Sequence, residues 1–91
     1  MAPEAIHVDV FGAVVRLPRD LVGELRSAAA ARAGVSSRHR DLSLVLDRAL
    51  DSGSATLTHG DLRALTAIRE EEPTLADAVD ELREAARRQA G

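Results

Sequence analysis

Four sets of side chains in this 91-residue sequence have the residue types for chemistry. Ser37, His39 and Asp41 supply the types of a nucleophile–base–acid relay. Such a relay needs side chains brought together from separate segments beside an oxyanion hole. Alternate positions of one short stretch diverge instead, so Ser37 reads as a loop residue and Asp41 as a helix cap. His7, His39 and His59 could ligate a metal, but no HExxH or paired-ligand spacing joins them. They read as solvated strand-face and loop histidines. With no cysteine there is no thiol nucleophile, disulfide or thiolate site. Gly12, Gly34, Gly53 and Gly60 are isolated turn glycines rather than a phosphate loop. The reading is a protein that is not an enzyme, with no cofactor, no metal and no small-molecule substrate.

Two charge runs break local rules. Arg38-His39-Arg40 precedes the second expected helix, where the dipole is already positive. With the free N–H groups of that helix, the run could hold an anion or a DNA phosphate. Glu70-Glu71-Glu72 falls at the C-terminal end of the third helix. Carboxylates there cost roughly 0.3–1 kcal/mol each at low salt. Together with Asp77 and Asp80, they are read as a partner-binding or dimer surface. In one version the basic and acidic runs meet across a dimer. The plain alternative is that both are solvated.

The elements that would carry these residues start with a hairpin. With Phe11-Gly12 as a two-residue turn, Val10 faces Ala13, Val8 faces Val15 and Ile6 faces Leu17. One face is then apolar throughout: Ile6, Val8, Val10, Ala13, Val15 and Leu17. The other carries His7, Asp9 and Arg16, with Val14 the exception. Pro18 suits a helix start. Leu21, Val22, Leu25, Ala28 and Ala29 then predict a helix over 19–33, ended by a left-handed Gly34. A loop follows, and Asp41 caps a second helix with Leu42, Val45, Leu46, Ala49 and Leu50 on one stripe. Residues 54–58 alternate as a third strand, joining the hairpin or pairing across a dimer. Thr58 and Asp61 approximate a capping box for a third helix, which runs to about Glu71. Pro73 breaks it, and Thr74 with Asp77 caps a fourth.

The order is ββααβαα. The fold class is α+β: a small antiparallel sheet, made of the hairpin and the short third strand, packed on about four helices. Residues 1–91 form one domain, with 1–5 and 89–91 expected to fray. A core with one Phe and no Trp or Tyr must be filled by smaller side chains, which favours a homodimer that buries more Leu and Val surface.

Net charge is −3, and all 12 basic residues are Arg. Codon bias in a GC-rich bacterial genome accounts for that choice. Residues 1–50 hold seven Arg against six acids, and residues 51–91 hold five against nine. A free nucleic-acid binder usually presents a basic domain. Met1–Ala5 carries an acid and no apolar run, which predicts neither a signal peptide nor a membrane span. The expected compartment is the cytoplasm.

Residues 13–51 resemble a ribbon-helix-helix repressor or antitoxin. The likeness rests on Ala13-Val14-Val15-Arg16-Leu17-Pro18-Arg19-Asp20-Leu21, a strand running through Leu-Pro into an amphipathic helix, followed by the helix at Leu42–Leu50. The resemblance implies a dimeric two-stranded ribbon in the DNA major groove, with Val14 and Arg16 contacting bases. The sequence departs from that pattern in the length of its Ser36–Asp41 loop and in the hairpin itself.

The resulting expectation is a non-catalytic regulatory or adaptor protein that binds a macromolecule, most of all another protein, as a homodimer. The alternative is a ribbon-helix-helix-like DNA-binding protein.

Overall fold

Phe11 and Gly12 turn the chain with φ of 55° and 101°. Two positive values define the type I′ turn, whose twist matches that of the strands it joins. Asp9 Oδ1 accepts the Gly12 N–H at 2.8 Å and braces the turn. The computed structural model describes residues 4–90. Strand β1 (Ala5–Val10) and strand β2 (Ala13–Pro18) flank the turn. They pair antiparallel in the expected register, from Val10 opposite Ala13 to Ala5 opposite Pro18.

The chain passes from Pro18 directly into helix α1 (Arg19–Ala30). This helix stops three residues short of the expected end, and Gly34 does not adopt the left-handed cap. The terminus tightens instead, with Arg32 N–H bonded to the Ala29 carbonyl and Ala33 N–H to that of Ala30. Helix α2 (Ser37–Ser52) begins earlier than expected. Ser36, not Asp41, is its N-cap, and Gly53 closes it at φ 87°.

Strand β3 (Ser54–Leu57) pairs with β1 in the same chain, and it runs parallel to it. The sheet is therefore mixed, in the order β2-β1-β3. A parallel pair needs a long crossover, and α1 with α2 supplies it. Helix α3 (His59–Glu71) starts with a complete capping box: Thr58 Oγ1 accepts the Asp61 N–H and Asp61 Oδ2 accepts the Thr58 N–H. A 3-10 turn at Pro73–Leu75 leads into helix α4 (Ala76–Ala90). Residues 4–5 and 89–90, expected to fray, lie beside or within these elements, and Arg19 N–H bonds the Glu4 carbonyl. The rest of the expected frayed ends lies outside the described residues.

One face of the sheet is buried under the helices. Ile6, Val8, Val10, Val15 and Leu17 join Val22, Leu25, Leu42, Leu46, Leu65, Ile68, Val79 and Leu82 in a single core. Ala29, Ala49, Ala64 and Ala85 let the helices approach closely where no aromatic fills the space. Helix α4 packs across β2 and β1. On the opposite face His7, Val14, Arg16, Ser54 and Thr56 are exposed, with Asp9 half-buried.

Candidate functional site

The residue most at odds with its local conformation is Phe11. A φ of 55° is the left-handed region, where a bulky L-residue costs on the order of 1–2 kcal/mol. Asn, Asp or Gly would sit there without that cost. Phe11 stands outside the core and remains 37% exposed. Its ring instead rests on the imidazole of His59, with centroids 4.4 Å apart and planes tilted by 32°.

His59 is there because the capping box fixes the first turn of α3 beside the hairpin tip. Helix α4 completes the surroundings. Leu62 and Ala86 form an apolar floor, and Arg83 and Arg87 line the rim of an open cleft of about 290 Å³. No carboxylate lines it. Arg87 reaches Glu84 at 3.4 Å along the exposed side of α4, a contact worth little in water. The tip of the hairpin is thus an exposed aromatic with two cations in reach, on a chain whose net charge is negative.

A second unpartnered feature is the outer edge of β2. In a two-residue hairpin the pairs alternate between bonded and non-bonded, starting from a bonded pair at the turn. Val14 and Arg16 therefore turn their backbone groups away from β1. The His7 N–H confirms the phase, because it points away from β2 to the Gly53 carbonyl at 2.9 Å. Among the described residues nothing pairs with that edge. The side chain of Val14 is 63% exposed beside it.

The expected site residues separate. Ser37, His39 and Asp41 do not converge: Ser37 and Asp41 are exposed, whereas His39 is buried. His39 is therefore no solvated loop histidine. It lies in the first turn of α2 with Nδ1 2.8 Å from Ser36 Oγ, and its Nε2 is buried without a partner. Burial, aided by the nearby positive charge of Arg32, pushes its pKa below the ordinary 6.5. Because it is buried, it separates from the anion-binding trio, leaving Arg38 and Arg40 exposed. Arg38 shares a shallow cleft with Asp41 and Asp61, which offsets its attraction for an anion. Among the described residues no three His, Asp or Glu side chains gather as metal ligands would.

The acidic run has ties inside the chain. Arg32, in the turn after α1, pairs with Glu71. Arg69 holds Asp80 through Nε–Oδ1 at 2.7 Å and Nη2–Oδ2 at 3.2 Å. That hydrogen-bonded guanidinium lowers the Asp80 pKa. Glu70, Glu72 and Asp77 remain exposed. A larger groove of about 700 Å³ runs from the start of α1 to the 3-10 turn. It mixes Arg19 and Arg26 with Asp20, Glu24 and Glu72, so it favours neither sign of ligand.

The grouping of Phe11, His59, Leu62, Arg83, Ala86 and Arg87 spans three separate segments, and sequence reasoning missed it. The available signal was Phe at a turn position that suits Asn or Gly. Among the described residues no helix is long and apolar enough to cross a membrane. Comparison with known proteins finds no matching family model, no matching curated protein and no matching solved structure.

Proposed function

We propose that this chain is a non-catalytic regulatory or adaptor protein of the bacterial cytoplasm that binds another protein and works as a homodimer. The observation that supports it best is the open β2 edge beside an exposed Val14. An unpaired edge strand is a template for pairing with another chain. A second copy fits this edge isologously. In an antiparallel pair centred on Val15, Val14 of each copy faces Arg16 of the other, so no two arginines are directly opposed. The aliphatic stem of Arg16 then covers the exposed valine.

Sedimentation equilibrium tests this reading. The wild type should dimerise, and Val14→Pro should be monomeric with its fold intact. Proline at that position removes only the outward N–H, which the intrachain ladder does not use. A monomeric wild type at high concentration, or a dimeric Val14→Pro variant, would sink the edge-pairing reading.

The exposed outer face also supports the DNA-binding alternative, because Val14 and Arg16 lie on it. A ribbon made by two β2 strands would present both pairs on one surface. Arg38 and Arg40 would then hold phosphates. Binding should weaken steeply as salt rises, since counterions are released. A gel-shift series against the chain's own upstream region decides it: the absence of a retarded band at low salt ends that alternative.

A further inference from the structure

We infer that the hairpin-tip cleft formed by Phe11, His59, Leu62, Arg83, Ala86 and Arg87 is a docking site for an acidic peptide segment carrying one apolar anchor side chain. The inference rests on the protein-binding reading and names its surface, away from the β2 edge. Three independent observations converge on it. Phe11 stands in left-handed backbone at φ 55° without entering the core, and conformational strain of this kind concentrates at ligand clamps. The cleft opens to solvent at Phe11, the only aromatic residue of the chain and 37% exposed, beside the half-buried Leu62. The charged side chains of the lining are both arginines, Arg83 and Arg87, on a protein of net charge −3. Complementarity to a negative partner follows from that lining.

The cleft's size selects among anionic partners. About 290 Å³ is at the small end for a pocket that would enclose a free ligand. It accommodates one side chain, with Arg83 and Arg87, one turn apart on α4, placed to meet neighbouring carboxylates. A nucleic-acid strand would need a basic track continuing beyond the cleft. The neighbouring turns of α4 carry Glu81 and Glu84 instead, and Asp9 lies under the turn.

The test uses the peptide Glu-Glu-Leu-Trp-Glu-Glu as probe. The protein has no Trp or Tyr, so probe fluorescence anisotropy reports binding without background. Amide shifts of labelled protein should concentrate at Phe11, Gly12, His59, Arg83 and Arg87. Phe11→Asn keeps a residue that tolerates left-handed backbone. It should melt no lower than the wild type, because the backbone strain is relieved, and weaken the probe by roughly ten-fold or more, as loss of a central anchor does. Replacing Arg83 and Arg87 by Gln should weaken it comparably and flatten its salt dependence.

The assignment is overturned if the probe fails to bind, or if the Lys-for-Glu peptide binds equally well. It is also overturned if Phe11→Asn binds normally, or if a single-stranded oligonucleotide outcompetes the probe at the same amides. Probe shifts centred on Val14 and Arg16 would overturn this site while leaving the protein-binding reading standing. Sedimentation of Val14→Pro tests that reading without reference to the cleft.

Discussion

Arg69 and Asp80 clamp α3 to α4 through two hydrogen bonds made by one guanidinium and one carboxylate. The pair spans the 3-10 turn at Pro73–Leu75. Asp80→Asn should lower the melting temperature modestly, since both groups are partly solvated. A double-mutant cycle with Arg69→Met should show a positive coupling energy. The carboxyl is held below its ordinary 3.8. Its stabilising effect is therefore complete above that ordinary value and lost as pH falls through the lowered one. The acid limb of the stability curve should be shallower in Asp80→Asn.

His39 gives a second, separate pH response. Its folded-state pKa lies below 6.5, so the unfolded chain binds the proton more readily. The stability it contributes is complete above about 6.5 and is lost as pH falls through the lowered folded value. Thermal melts across mildly acidic pH should show this decline in the wild type. They should show none of it in His39→Leu, which also removes the orphaned Nε2. An identical slope in both proteins would mean that His39 is solvated.

The hairpin register is tested by neighbours that face opposite ways. Val15 is buried and Arg16 exposed. Val15→Asp places an unpaired carboxylate in the core, at a cost of about 3–5 kcal/mol, enough to unfold a small domain. Arg16→Asp should melt within a degree or so of the wild type, as exposed substitutions commonly do. Chemical denaturation of the two variants checks it.

The acidic run should divide by position. Glu71 is engaged by Arg32, so Glu71→Gln should be neutral or destabilising by less than about 1 kcal/mol. Glu70 and Glu72 are exposed carboxylates at a helix C-terminus. Changing them to Gln should stabilise by roughly 0.3–1 kcal/mol per charge at low salt. If they also face a partner or a second copy, association should weaken in the same variant. Unchanged association would mark them as a solvated helix end.

The hairpin was readable because period-two alternation admits one register that sorts Ile6, Val8, Val10, Val15 and Leu17 to one side. Helix α3 was readable because its cap and its stop, Thr58 with Asp61 and Pro73, are local. The parallel β1–β3 pair was not, since four residues at Ser54–Leu57 carry no information about strand direction. The start of α2 was misplaced because Ser36 and Asp41 are both competent caps, and burial of His39 favours the earlier one. The pairing of Arg32 with Glu71 joins residues distant in sequence, so local charge arithmetic missed it. The hairpin-tip cleft draws on a turn and two helices, and only the fold brings them together.

The parallel pairing of β3 with the central strand also governs what the ribosome releases. Until Leu57 has emerged, nascent β1 has β2 on one side and nothing on the other, although His7 N–H ends bonded to Gly53. A growing chain of that length leaves one edge of the central strand itself open, with Ile6, Val8 and Val10 uncovered by the later helices. Translation through α1 and α2 is therefore the interval in which this protein is most prone to aggregate. Truncations ending before Ser54 should accumulate as insoluble material, and those ending within α4 less so, since they keep β3 but lose part of the cover of β2 and β1.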